Sequence, residues 1–177
     1  MALLARQHVV KVDYVPAQRW NMLALLCLRA LGTNAQVAAP DLIGIADKNE
    51  SGSFRRAAVD ALGYVGPVKQ VVPHLLQWAT KPDPFVQIPA INGLGRLRPP
   101  AVEAVPHLME WTTNSDQDVV VSAINALGGI GPPAKGAVPL LMGWATSARL
   151  RVAVNAKAAL LQIDPEAAAK AGITNAP

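Results

Sequence analysis

The 177-residue sequence has a single cysteine, Cys27, which excludes an intramolecular disulfide framework and any multi-cysteine metal knot. Charge is also scarce, at 16% of residues, and aromatic side chains make up only 5%. Sixteen Lys and Arg against twelve Asp and Glu leave a net charge of +4, spread along the chain, which is weak support for nucleic-acid binding. No apolar run approaches the roughly 20 residues of a membrane span. The opening Met1 to Arg6 lacks a secretory apolar core before its first charge. A soluble, cytoplasmic protein that needs no membrane is the expectation. Gly-rich phosphate loops, Ser/His/Asp constellations and paired-carboxylate motifs are absent too, so nothing points to catalysis and no cofactor is expected.

What the chain does have is apolar material, at 51%, arranged periodically. A Val/Ala-Pro step recurs at Pro40, Pro73, Pro106 and Pro139, always 33 residues apart. The second residue after each proline is Leu42, Leu75, Leu108 and Leu141, and the fifth is Ile45, Trp78, Trp111 and Trp144. Upstream stands an Ala/Gly-Leu pair, at Leu31, Leu62, Leu94, Leu127 and Leu160, with a small residue four positions earlier: Cys27, Ala58, Ala90, Ala123 and Ala156. Small residues in that row let neighbouring helices approach closely, so Cys27 is expected in a buried seam as a weakly polar hydrophobe.

Each unit reads as two helices. Phe54, Ala58, Ala61, Leu62 and Val65 follow helical spacing, Gly66-Pro67 breaks the helix, and Val72-Pro73 restarts one with proline in a first turn, where its missing N–H is harmless. Pro99-Pro100 and Gly131-Pro132-Pro133 rewrite the same break. Neither helix can hide its apolar stripe alone, so the units must stack around one continuous core. The boundaries expected are repeats at about 17–47, 51–81, 84–114 and 117–147. A C-terminal half-repeat and cap follow at 149–172, and residues 1–16 form an N-terminal helix or partial repeat. Asp164-Pro165-Glu166 should cap the terminal helix and Gly172 stop it.

Phe54 to Leu76 and Val119 to Leu141 resemble the HEAT-like repeats of the phycobilisome-lyase type, whose pattern is Val-Arg-x-x-Ala-x-x-Ala-Leu-Gly-x-Ile-Gly-Pro followed by Ala-Val-Pro-x-Leu. The resemblance covers about residues 17 to 165. It implies an all-α, right-handed α-solenoid (α/α superhelix) of about four and a half two-helix repeats. Two departures stand out. The arginine seven residues before each leucine is present only as Arg55, so a regular inter-repeat Asp–Arg ladder is not assumed, and Pro89 should delay or kink the first helix of the third unit.

His74 and His107 follow the repeat proline one unit apart, but adjacent helices lie about 8–10 Å apart and no further ligand completes a set, so no metal is expected. Trp78, Trp111 and Trp144 carry more information. On a helical wheel Trp78 falls about 110° from the centre of the core face, with His74 one turn away, and His107–Trp111 repeats the pair. The resemblance places the second helices on the concave side. The expectation is therefore a non-enzymatic scaffold, a monomer, that holds a peptide or protein on a concave row of Trp78, Trp111, Trp144, His74 and His107. Seam-covering by the tryptophans is the bland counterpart. A nucleic-acid binder is the alternative, weakened because Gln36 and Val102 interrupt the row that holds Lys69 and Lys135; a phycobilin-lyase-like enzyme comes third.

Overall fold

The computed structural model describes residues 26–48, 51–66 and 68–174, and the reading of residues 1–16 lies outside them. After helical residues 26–31, the order is a 3-10 segment η1 (Gly32–Ala38), α1 (Ala39–Lys48), α2 (Gly52–Val65), α3 (Val68–Ala79) and α4 (Gln87–Arg96). Then come η2 (Pro99–Ala104), α5 (Val105–Trp111), α6 (Gln117–Ile130), η3 (Pro132–Ala137), α7 (Val138–Ala145), α8 (Leu150–Ile163) and α9 (Pro165–Lys170). No strand occurs among the described residues. The protein is an all-α solenoid of stacked helix pairs.

Two layers arise from this order. The first helices α2, α4, α6 and α8 pack side by side, and each second helix leans mainly on the first helix of the following unit. The repeated leucines Leu62, Leu94, Leu127 and Leu160 are fully buried, as are Ala90, Ala123 and Ala156 of the small-residue row, with Ala58 nearly so. Burying a leucine contributes roughly 1.5–3 kcal/mol each, and here the burial is shared between units, so no unit keeps it alone. Neighbouring first helices approach closely one residue after the leucine. A Cβ added at Gly63 would lie 2.8 Å from the Gly93 Cα, and one at Gly95 would lie 2.6 Å from the Ala126 Cα.

The first unit departs from the expected phase. Leu31 is 53% exposed and Cys27 is exposed, whereas Leu28 is half-buried. The helix therefore turns Leu28 inward, three residues earlier than the Ala-Leu pair suggests, and Cys27 falls off the seam. In that phase the fourth residue after the inward leucine is the turn position: Gly32, Gly66, Arg98, Gly131 and Asp164.

Unit two also differs from the reading of its proline. Helix α3 starts at Val68, so Pro73 lies inside it, where it lacks an N–H for the intrahelical ladder. Units three and four place Pro-Pro-Ala at the break, with the buried Ala101 and Ala134 kinked out of helical geometry, and their repeat prolines sit in the first turn of α5 and α7. Unit two has Gly66-Pro67-Val68 there and forms a continuous helix. Pro89 acts as expected: α4 has 10 residues against 14 for α2, α6 and α8, because proline is accommodated only within the first turn.

Inter-unit ion pairs exist but use inequivalent positions. Arg55 donates to Asp83 at 2.7 Å and to the Ala46 carbonyl at 2.9 Å, Arg96 pairs with Asp60 at 3.0 Å, and Arg151 pairs with Asp118.

Candidate functional site

The residues singled out by the repeat lie along α3, α5 and α7. Each histidine stands one turn before its tryptophan, and the helix brings the rings together: His74 and Trp78 have centroids 5.6 Å apart, and His107 and Trp111 6.1 Å apart with planes inclined by 29°. The exposure of the row is uneven. Trp78 is fully buried, and its Nε1 donates to Asp47 Oδ1 at 2.8 Å, across the seam to the end of α1. The expectation of a partly exposed tryptophan fails here, because Asp47 supplies an acceptor that draws the indole over the seam.

Trp111 and Trp144 are half-buried and rest on the core with their outer edges in solvent. His107 is exposed and His74 is half-buried. Two polar atoms of the row are buried without a hydrogen-bond partner: His74 Nδ1 and Trp144 Nε1. Around the half-buried tryptophans, Pro106, Glu110, Pro139 and Gly143 are exposed, so units three and four present a continuous second-helix surface that unit two does not complete with an indole.

Among the described residues, no three His, Cys, Asp or Glu side chains gather as a metal-binding group, and no helix is long and apolar enough to cross a membrane. Of the lysine row, Lys69 is exposed, while Lys135 lies 2.9 Å from Asp164 Oδ2. The Ala167 N–H and then Lys135 hold the Asp164 carboxyl below the usual carboxylate range, and Asp164 in turn holds the Lys135 ammonium above its usual value.

A second feature is not on the second helices at all. An open depression of about 890 Å³ crosses the C-terminal ends of α4, α6 and α8, lined by Asn92, Asn125, Gln162, Arg96 and Arg98 among others. Its lining is also glycine-rich, with Gly95, Gly128, Gly129 and Gly131. Arg98 has φ +59° and ψ −148°, matching the φ +78° and ψ −144° of Gly131 one repeat later. That region belongs essentially to glycine, and holding another residue there costs of order 1–3 kcal/mol. The sequence held the signal, an arginine among glycines at the turn position, but the Leu31 phase concealed it by setting Gly32 three places out of line.

The HEAT-repeat family model matches residues 39–124. No curated protein gives a significant match. Solved structures are similar in fold at low identity. An engineered protein is 21% identical, with 92% of this chain and 81% of that chain covered and a TM-score of 0.56. The CpcE–CpcF complex of phycocyanin lyase from Nostoc sp. PCC7120 is 20% identical, with 76% and 87% covered and a TM-score of 0.59. A designed armadillo repeat protein in complex with the peptide (KR)4 is 14% identical, with 89% and 84% covered and a TM-score of 0.55. With helix pairs stacked in register and a shared leucine core, the chain has the fold of an α-solenoid repeat protein, and its residues 39–124 carry the HEAT-repeat pattern.

Proposed function

We propose that this protein is a non-enzymatic scaffold that holds a peptide or protein on its second-helix face, at units three and four. The observation that carries the reading is the pair of half-buried tryptophans, Trp111 and Trp144, on short helices whose neighbouring positions are open to solvent. The stacked core of units three and four is filled by aliphatic side chains, and a large aromatic with one edge in water is the kind of side chain that anchors an interface. His107, stacked beside Trp111 and exposed, adds a polar group able to donate or accept at the same spot. Trp78 contributes nothing to this surface and supports the stack instead.

The lysine row argues against nucleic acid, because Lys135 is paired with Asp164 and, of that row, Lys69 alone is left without an ion pair among the described residues. The likeness to phycocyanin lyase is one of fold, and an activity does not follow from a fold. The test uses wild-type protein, His107→Ala and Trp111→Ala as baits in lysate, with captured proteins identified by mass spectrometry. A partner held by wild type, weakened tenfold or more by both substitutions while helicity is unchanged, is the expected result. Capture that is the same for all three baits removes the second-helix face from the reading. Retention of a linear tetrapyrrole by the purified wild-type protein would replace the scaffold with the lyase-like alternative.

A further inference from the structure

The depression on the first-helix layer has chemistry of its own. Its lining has no aspartate or glutamate, and it combines two arginines and three side-chain amides with four glycines. Arg96 is already engaged: it pairs with Asp60 at 3.0 Å and its guanidinium lies 4.9 Å from the Tyr64 ring centroid. Arg98 is exposed and forms no ion pair among the described residues. It also occupies a backbone conformation that the next repeat assigns to Gly131, and the first repeat has a positive φ at Gly32 as well. A strained residue persists only where its surroundings hold it, and such residues gather at binding sites. The turn itself gains nothing from arginine, since glycine makes the same turn one repeat later.

We propose that this depression is a second binding site, which takes an acidic segment of a protein partner, with Arg98 pairing to a carboxylate. Arginine presents a planar fork that matches a carboxylate in two parallel hydrogen bonds. Asn92, Asn125 and Gln162 each offer both a donor and an acceptor, as a peptide backbone does. A nucleic acid or a polyphosphate is a poorer match. Those ligands need several unpaired cations, whereas the second arginine here is neutralised by Asp60. The site shares no residue with the tryptophan row, so the two readings fail independently.

The experiment measures binding of an acetylated hexaglutamate peptide at about 0.15 M salt, with hexaglutamine and a single-stranded oligothymidylate as comparison ligands. Wild-type protein and Trp111→Ala should bind hexaglutamate alike and hexaglutamine far less. Arg98→Gly should weaken hexaglutamate at least tenfold while its Tm stays the same or rises by a few degrees, because glycine relaxes the turn. Lys69→Ala removes one exposed positive charge outside the lining of the depression and should leave the affinity within about twofold, since at about 0.15 M salt charges more than about 8 Å apart are largely screened. Equal losses for Lys69→Ala and Arg98→Gly would reduce the effect to net charge and overturn the proposal. So would wild-type protein that shows no hexaglutamate binding up to about 1 mM, or one that prefers oligothymidylate.

Discussion

Two seams of the stack use the same tryptophan position and reach opposite results. Between units one and two, Trp78 ends the 12-residue helix α3, is fully buried and donates to Asp47. Between units three and four, Trp144 belongs to the 8-residue helix α7, is half-buried and leaves its buried Nε1 without an acceptor. The residue in the phase of Asp47 is Thr80 for Trp111 and Thr113 for Trp144. Those hydroxyls donate backwards, to the Gln77 and Glu110 carbonyls at 2.8 Å each. One carboxylate thus separates a tryptophan that seals a seam from tryptophans that leave an edge outside. A repeat position fixes where a side chain starts, and its partner in the neighbouring unit decides how deeply it ends.

Truncating the tryptophans should give the largest contrast. Trp78→Ala removes a buried aromatic and should destabilise the protein by about 3–5 kcal/mol in chemical denaturation, as core truncations do. Trp111→Ala should lose about half as much, since only part of that ring leaves the core. Equal losses would erase the distinction between sealing and half-open seams. A Trp111→Ala loss in the full core range, with partner affinity intact, would also refute the proposed binding face.

Exchanging the acceptors tests the cause of the contrast. Asp47→Thr gives the first seam the chemistry of the later ones and strands a buried indole N–H, which should cost about 1–3 kcal/mol. Quenching of tryptophan fluorescence by acrylamide should increase as well. Thr113→Asp offers Trp144 Nε1 the acceptor it lacks and should stabilise by about 1 kcal/mol, with reduced quenching. If neither change alters quenching, the neighbouring unit's side chain does not set the depth of the indole.

The contrast also marks how far the sequence could be read. The 33-residue beat of Pro40, Pro73, Pro106 and Pro139, with its glycine and proline breaks, states the stacked helix pairs directly, because the core is a periodic object and periodicity survives in the chain. The delayed start of α4 at Pro89 and the Asp164 cap were legible for the same local reason: each depends on residues within one helical turn. Trp78 was not, because a helical wheel knows only its own helix, and the bond to Asp47 spans 31 residues. Cys27 misled for a related reason. The Ala30-Leu31 pair imitates the later units, yet the inward residue is Leu28, and only the packing discloses the shift.

The smallest effect belongs to the last seam, which an ion pair with an exposed lysine holds in place of a buried indole. Asp164 Oδ1 accepts the Ala167 N–H at 3.0 Å at the start of α9, and Oδ2 receives Lys135 at 2.9 Å from η3 of the preceding unit. These contacts, the Ala167 N–H first and Lys135 second, hold the carboxyl below its usual range. A carboxyl with a lowered folded-state pKa adds stability that is fully present above its unfolded value of about 4 and is lost as pH falls through the folded one. The Lys135 ammonium, raised by Asp164, contributes in the opposite sense: its share is complete below about 10.4 and is lost as pH rises through the folded value. Asp164→Asn keeps a capping side chain but loses the charge. Its Tm should lie slightly below wild type near neutral pH, and the two should converge as pH falls below about 4. Added salt at about 0.5 M should shrink the neutral-pH gap, because Lys135 is open to solvent and screening acts on exposed charges. The Trp78–Asp47 seam should behave differently: its donor is an uncharged indole, so the loss caused by Asp47→Thr should persist in the same salt. A gap that grows on acidification would assign the wrong sign to Asp164 and leave the last seam without its proposed tie.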